Sequence, residues 1–416
     1  MSPILSSDPS TASARSTGAS SSVMVLWGFL LVLPGALFVM RYSPRAGVSP
    51  FLAVSAYALF FAALVWVSRA LVRRSDAGGE SGTRPVLPRL PLLPLFLGFA
   101  LFLAALVVIY MRIEPEALQI DRWSALDHFW NALSRGEYPY HSRSHLGSFI
   151  SGFPGLFVLA LPFWLLGDVG LLQFASLAAF FWLSICVFRR AGRVAFLLAL
   201  LAGTPVFAYE MIVRSDLFSN MVVIAWVLYL TGKVVRSGDC GIWRLAGLAA
   251  VWGLLLSTRG VVIIPLTLAG FSLVRGRGLG RGALFGAMAA VFFAATLIPF
   301  YLWDPVFFAD KNPYFVQSGY IPGWALAIVL LTTAGIGWSG RSATQLFAAT
   351  GLLLFATVFG CFLLAVVRTG FVHVLWENGF DISYFALPMP FLLLEAGGVF
   401  FGTPTRDGAS FAPVTD

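Results

Sequence analysis

The stretch that decides the fold class is PLLPLFLGFALFLAALVVIYMRIEPEALQIDRWSALDHFWNALSRGEYPYHSRSH, residues 91–145. Residues 91–110 carry no charge, whereas residues 120–145 are polar. A run of about 20 apolar residues is long enough to cross a hydrocarbon core of roughly 30 Å. The rest of the chain has the same character, with 59% hydrophobic and only 11% charged residues in 416. A mean hydropathy of +0.86 excludes a soluble domain of this length. We therefore predict an all-α, polytopic transmembrane helical bundle.

Hydropathy and charge together predict the topology. Eight runs are long enough to span: 23–40, 50–72, 91–110, 168–188, 216–232, 283–303, 346–367 and 385–402. Five shorter or Gly/Pro-interrupted runs need a second criterion: 149–166, 194–208, 244–257, 260–274 and 323–338. Arg and Lys collect in four segments that the positive-inside rule places in the cytoplasm: 69–89, 189–193, 233–244 and 275–281.

These basic segments allow no complete crossing by the run 149–166. That run contains Gly152, Pro154 and Pro162, which is typical of a broken or re-entrant helix near the outer face. We predict about twelve spans plus this re-entrant element, with both termini cytoplasmic.

A single transmembrane domain, 23–402, is expected, with an outer loop at 111–148. Residues 1–22 and 403–416 are predicted to be disordered cytoplasmic tails, because they hold few apolar residues. The net charge of +8 comes from the predicted inner loops, so it indicates topology and does not argue for nucleic-acid binding.

The outer loop contains a predicted amphipathic helix. Its apolar residues recur every three or four positions, as expected of a helix lying at the lipid headgroups: Trp123, Leu126, Trp130 and Leu133. Asp121 begins this helix, and an N-cap would explain it. Its neighbours Glu114, Glu116 and Asp127 support the other interpretation, a group of carboxylates that faces a polar cavity.

Three segments of the chain resemble the C-type (GT-C) membrane glycosyltransferases. The first is Asp121 with the helix after it and the turn Gly136–Tyr140, GEYPY, which is similar to the first outer loop of that family. The second is YEMIVRSD at 209–216, and the third is STRG at 257–260, an arginine at a break between two helices. The resemblance covers roughly residues 91–320 and depends on the order of the segments and their shared outer location.

The resemblance implies a fold and an activity. The protein is expected to move a hexose from a polyprenyl-phosphate donor to a lipid or glycan acceptor at the outer face of a bacterial plasma membrane. Mannose is the expected hexose, since it is the commonest donor sugar of the family. Inverting transfer needs a carboxylate to deprotonate the acceptor and cations to hold the departing phosphate. Asp121 is the candidate base. The candidates for the donor phosphate are Arg214, Arg259 and Lys311.

Further residues are expected to position the substrates or meet membrane lipids: Asp216, Glu210, Asp127, Tyr140, His141 and Arg143. No metal site is predicted from His or Cys spacing, since no carboxylate or third histidine is in register. The paired acidic motif of many family members is absent beside Asp121, where Arg122 stands, so a divalent cation stays an open question. Loops 304–322 and 368–384 are the expected acceptor contacts.

Other interpretations stay open. Arg214 and Arg259 could simply pair with Asp216 or Glu210, or extend to the interface. A polytopic lipid or sugar transporter or flippase is the alternative function, and Glu395 within FLLLEAGGVF is the kind of intramembrane carboxylate found in such proteins. A non-catalytic scaffold is a third class, but it leaves the outer acidic loop and the two arginines unexplained.

Overall fold

The computed structural model describes residues 16–77, 92–188, 190–236, 241–311, 313, 322–339 and 343–401, and this part of the chain is all-helical. Numbered in chain order, the helices of its first half are α1 (Ser16–Tyr42), α2 (Pro50–Ala77), α3 (Leu92–Met111), α4 (Arg122–Ser134), α5 (Pro154–Leu165), α6 (Leu171–Phe188), α7 (Ala191–Ala202), α8 (Pro205–Ile212) and α9 (Leu217–Arg236). Those of its second half are α10 (Ile242–Leu256), α11 (Ile263–Arg277), α12 (Leu279–Trp303), α13 (Pro305–Lys311), α14 (Gly323–Trp338), α15 (Ala343–Thr369), α16 (Phe371–Trp376) and α17 (Met389–Val399).

The helices confirm a multi-pass membrane protein. Within the described residues, nine helices are long and apolar enough to cross a membrane, or ten if the bent pair α7 and α8 forms one span. All eight runs predicted as long spans are among the nine, and the ninth is 260–277. Helix α1 begins at Ser16, inside the predicted tail 1–22, while residues 1–15 and the tail 403–416 lie outside the described part.

The centre of the bundle is formed by α9 and α17, whose side chains are buried on nearly every side. Such a helix must be apolar all round, and Met221, Val222, Ile224 and Ala225 on α9 show this. Some of the polar groups at this depth are hydrogen-bonded to their own helix, as expected where lipid cannot satisfy them. Thr231 Oγ1, for example, donates to the carbonyl of Val227 at 2.7 Å.

Two helix breaks occur at one end of the bundle. Helix α7 ends at Ala202 and α8 begins at Pro205, with a bend of 69° between them. Proline has no N–H to continue the hydrogen-bond ladder, so the bend coincides with it. The second break separates α10 from α11 at residues 257–262. Irregular backbone at membrane depth is tolerated only where it is buried in protein or lines a cavity, so both breaks indicate a polar site.

Helix α4 lies against α5 and so places the outer loop on the bundle. The ring of Phe129 stacks on that of Phe157 at 3.6 Å, and Trp130 Nε1 donates to the carbonyl of Phe157 at 2.9 Å. The face of α4 that is most buried therefore includes Phe129 and Leu126, while Trp123 and Trp130 are only partly covered. The predicted amphipathic helix exists, but much of its apolar face packs on protein.

Helix α5 lies in the run 149–166 and is short. It has 12 residues. At a rise of about 1.5 Å per residue such a helix is roughly 18 Å long, well short of a core of roughly 30 Å. Gly155 near its start lies directly against the carbonyl oxygens of Leu254 and Ser257 at the end of α10. This close approach requires a residue without a side chain, because a Cβ atom would collide with the α10 backbone.

Candidate functional site

The site is built around the side chain of Arg122, the first residue of α4. Its Nη1 donates to Ser215 Oγ at 2.7 Å, and its Nη2 donates to Asp381 Oδ2 at 2.5 Å and to Ser383 Oγ at 2.9 Å. Glu210 Oε1 lies 3.8 Å from Nη1. We call Arg122, Glu210, Ser215, Asp381 and Ser383 the Arg122 cluster. It joins the outer loop to the end of α8 and to the segment before α17.

Each carboxylate of the Arg122 cluster also accepts a backbone N–H at the start of a helical segment. Glu210 Oε2 accepts the backbone N–H of Phe218 at 3.2 Å, in the first turn of α9. Asp381 Oδ1 accepts the N–H of Ser383 at 3.0 Å and so caps the short helical turn Ile382–Ala386. Burial alone would raise the pKa of Asp381, but the Arg122 guanidinium outweighs it and holds that pKa below its usual range.

A second ion pair lies beside the Arg122 cluster. Arg259, at the break between α10 and α11, donates from Nε to Asp216 Oδ2 at 2.7 Å and from Nη2 to Asp216 Oδ1 at 2.5 Å. The side chain of Asp216 is only 1% exposed. Burial would raise the pKa of this carboxyl, but the charge and hydrogen bonds of Arg259 lower it below its usual range. The planar guanidinium fork explains why an arginine occupies this position.

Arg214 is held in an unusual way. Its backbone has φ 54°. This left-handed conformation costs a residue with a side chain about 1–3 kcal/mol and often marks functional sites. Its Nη1 lies 3.6 Å from Asp168 Oδ2, and its guanidinium lies 4.0 Å above the ring of Tyr110. Tyr110 in turn donates to Asp168 at 2.7 Å. This strained turn directs the side chain of Arg214 toward Asp168, just before α6.

Asp121 occupies the N-cap position of α4, but its side chain makes no capping hydrogen bond to the helix backbone. Its Oδ2 instead accepts a hydrogen bond from Ser144 Oγ at 2.7 Å. Among the described residues Asp121 forms no ion pair, although the cationic Arg122 is its neighbour. Asp121 is partly exposed, and its role as the base stays a prediction.

The segment that carries Ser144 is fixed by His145. Its Nδ1 lies 2.7 Å from Ser124 Oγ, and its Nε2 lies 2.9 Å from the carbonyl of Leu118. Because a carbonyl oxygen only accepts, Nε2 donates to Leu118. His145 therefore connects the segment before α4, the first turn of α4 and the loop after it.

The other predicted site residues lie in segments 111–148 and 304–311 but not in this network. Asp127 accepts from Asn131 at 2.6 Å, and burial raises its pKa despite that bond and the nearby His128. Tyr140 is buried and donates to the carbonyl of Gly152 at 3.0 Å, and burial raises its pKa well above the usual value. His141 lies 3.0 Å from Asp304, Arg143 donates to the carbonyl of Gly147 at 2.8 Å, and Lys311 lies 3.1 Å from Asp310.

The structure thus brings together Glu210, Asp216 and Arg259, while the side chain of Arg214 contacts Asp168 and Tyr110 instead. It also adds residues that the sequence did not assign to the site. Arg122 is the most important of these, followed by Asp381, Ser383 and Asp168. One signal in the sequence could have indicated Arg122: it is a charged residue in the first turn of a helix whose neighbours include Trp123 and Leu126. Its partner Asp381 is 259 residues away, so no local pattern could identify the pair.

Two buried polar atoms in this region have no hydrogen-bond partner among the described residues: Glu210 Oε1 and Asn220 Nδ2. Asn220 Oδ1 accepts from Thr258, which precedes Arg259. Because an unsatisfied buried donor or acceptor costs about 1–3 kcal/mol, such atoms mark places where a ligand atom or water would bind.

No three His, Cys, Asp or Glu side chains in the described part are grouped as a metal would need. Searches against protein-family models, curated proteins and solved structures found no match to this chain. The geometry of the site therefore carries the functional argument.

Proposed function

We propose that this chain is a bacterial plasma-membrane glycosyltransferase that moves a hexose of the mannose type from polyprenyl phosphate to a lipid or glycan acceptor. Two neighbouring contacts carry the proposal: the Arg122 cluster ties the loop of Asp121 to segment 209–216, and the Asp216–Arg259 pair ties that segment to 257–260. Ionisable groups at such a depth are costly, so their concentration at one end indicates a functional site.

The helices support a topology in which this end faces outward. Nine candidate spans become ten if α7 and α8 form one crossing. In the proposed topology the short helices α10 and α14 would complete twelve crossings, with α5 as the re-entrant element. Arg277 Nη2 lies 3.3 Å from the carbonyl of Val234, so two of the basic segments meet at one face. The positive-inside rule makes that face cytoplasmic, and the Arg122 cluster lies at the opposite ends of the same helices.

The proposed reaction is a single displacement. Asp121 accepts the proton of the acceptor hydroxyl, whose oxygen attacks the anomeric carbon of the sugar. The bond between that carbon and the phosphate oxygen breaks, and polyprenyl phosphate leaves with the electron pair. Arg214 and Arg259 would stabilise the charge that develops on this phosphate.

Arg259 is suited to this task because Asp216 occupies its Nε and Nη2 groups and leaves Nη1, which makes no hydrogen bond to the described residues. Asp216 would act as the group that orients Arg259. Glu210 would hold Arg122 and the start of α9, while Lys311, His141 and Arg143 would contact substrate from the loops. No step in this scheme requires a divalent cation.

A transporter or flippase is the second candidate, and Glu395 is the observation that favours it. This carboxylate lies in α17, partly buried, next to Gly397 and Gly398, and it has no ion pair among the described residues. Intramembrane carboxylates of this kind often carry protons in transporters.

Transfer of labelled sugar tests the proposal. Purified wild-type protein and Asp121→Asn are incubated with radiolabelled polyprenyl-phosphate sugars and membrane-lipid acceptors. We expect label to move to the acceptor only with the wild type. Absence of transfer with every donor, together with movement of the carrier across liposomes, would reject the enzyme and favour the flippase.

A further inference from the structure

A groove far from the Arg122 cluster opens between α3 and α7. Its volume is about 470 Å³. Small-ligand sites typically measure about 300–1,000 Å³, so the groove is large enough for a ligand. The lining is almost entirely apolar and consists of Pro94, Leu95, Gly98, Phe99, Phe102, Ala191, Gly192, Ala195, Leu198, Ala199 and Ala202.

The two helices that form the groove run in the same direction. Phe102 of α3 lies 6.2 Å from Phe207 of α8, ring to ring, so the later residues of α3 approach the segment that follows α7. The groove therefore starts at the beginning of both helices and extends toward the middle of the bundle. Along α7 it reaches from Ala191 to Ala202. A helical segment of this extent is roughly 17 Å long, at a rise of about 1.5 Å per residue.

The length of the groove indicates which kind of ligand fits it. A hydrocarbon core of roughly 30 Å consists of two leaflets, so the groove matches the depth of one leaflet. An acyl chain of a bilayer phospholipid fits this depth, whereas a spanning helix or a long polyprenyl chain would extend beyond it.

Among the described residues, the end of the groove formed by the starts of α3 and α7 is basic. Val72 of α2 packs on Gly192, at about 3.4 Å from where a Cβ atom would stand. Arg69 and Arg73 lie within one helical turn of Val72, four residues apart and so on the same face of α2. Nε of Arg69 is buried and has no hydrogen-bond partner among the described residues, while Arg73 is exposed. Arg190, just before α7, is also exposed at this end.

We propose that this groove binds one acyl chain of an anionic bilayer phospholipid, with the lipid phosphate held by Arg69 and Arg73. An apolar channel of one leaflet's depth and a pair of guanidinium groups at its headgroup end match the two parts of such a lipid. The inference does not depend on the proposed enzymatic activity, since the groove lies at the other end of the bundle from Asp121.

Native mass spectrometry of the purified protein, titrated with phosphatidylglycerol, tests the site. Each juxtamembrane arginine contributes about fivefold to the binding of an anionic lipid, so R69Q with R73Q is expected to weaken binding roughly 30-fold. Arg281→Gln, on an exposed arginine at the start of α12, is the matched charge control and should leave binding unchanged.

A second pair of variants tests the groove itself. Gly98→Leu places a side chain in the groove, because a Cβ atom there meets nothing within 4 Å. Gly286→Leu is the matched control on α12, where a Cβ atom also meets nothing within 4 Å. We expect at least tenfold weaker binding for Gly98→Leu alone, with both variants as stable as the wild type in a thermal unfolding assay.

The following results would overturn the proposal: equal binding of phosphatidylcholine and phosphatidylglycerol, equal effects of the two glycine variants, or unchanged binding in the double arginine variant. Displacement of phosphatidylglycerol by an equimolar polyprenyl phosphate would assign the groove to the carrier lipid instead. If Gly98→Leu does not fold, the arginine variants and their control decide alone.

Discussion

Replacing Arg259 by glutamine should destabilise the protein because Asp216 would stay buried without its cation. The carboxylate is 1% exposed and the guanidinium 13% exposed, so neither charge can turn to water. Removing one partner of such a buried pair costs about 3–5 kcal/mol, against a total unfolding free energy of roughly 5–15 kcal/mol. We expect a loss in this range for Arg259→Gln.

The double variant Asp216→Asn/Arg259→Gln separates the ion pair from the loss of the arginine alone. With both charges removed, no buried charge is left unpaired, so much of the lost stability should return. The matched control is Arg135→Gln. Arg135 binds Glu137 with the same two-bond geometry, at 3.1 and 2.8 Å, but both side chains are more than half exposed. That variant should unfold like the wild type.

The assay is equilibrium unfolding in mixed micelles with increasing sodium dodecyl sulfate, followed by tryptophan fluorescence. A loss of less than about 1 kcal/mol for Arg259→Gln would refute the reasoning. So would a double variant that is as unstable as the sum of the two single variants, since the two side chains would then not be coupled.

Three further predictions follow from the same contacts. Asp121→Asn should lower the transfer rate by about 10²–10⁴-fold at unchanged membrane abundance, and full activity would remove Asp121 as the base. The destabilisation caused by Arg259→Gln should shrink as pH falls from about 6 to about 4, which unfolding at several pH values measures. In the wild type the pKa of Asp216 is lowered, so the ionised carboxylate stabilises the fold above the unfolded-state pKa, and this contribution is lost on acidification. In the variant, burial without the cation raises that pKa, so protonation relieves the unpaired charge. Gly155→Ala should lower the free energy of unfolding by about 1–3 kcal/mol, because its methyl group meets carbonyl oxygens of α10. Its control Gly247→Ala, in open space on α10, should raise that free energy by about 0.5–1 kcal/mol. Similar effects of the two variants on unfolding would contradict this packing.

The long helices could be predicted from hydropathy because a hydrocarbon core imposes one simple demand. Every backbone polar group must be satisfied within the segment, and the side chains must be apolar over about 20 residues. All eight long runs satisfy this demand in the sequence and are helices in the structure. The incomplete crossing of the run 149–166 stays a prediction, which rests on its prolines and on the basic residues around it.

The sequence predicted the helix in segment 111–148 but not how that helix packs. Periodicity predicted α4, but it placed the tryptophans at the lipid headgroups, whereas Phe129 and Leu126 make the buried contact with α5 and the turn after α4. A helical repeat shows which residues share a face. It does not show whether lipid or protein covers that face, since both are apolar partners.

The polar residues of the candidate site could be proposed one by one, but their partners could not. Local sequence named Asp216, Arg259 and Arg214, and the pairing of Arg259 with Asp216 was one of two interpretations until the structure placed them 2.5 Å apart. Arg122 and Asp381 meet across 259 residues, and Arg122 changes from the neighbour of a candidate base to the centre of a cluster. Hydropathy and charge are properties of a segment, and they determined the class, the helices and the basic face. Which charges neutralise one another depends on how separate helices pack, and only the tertiary structure decided that.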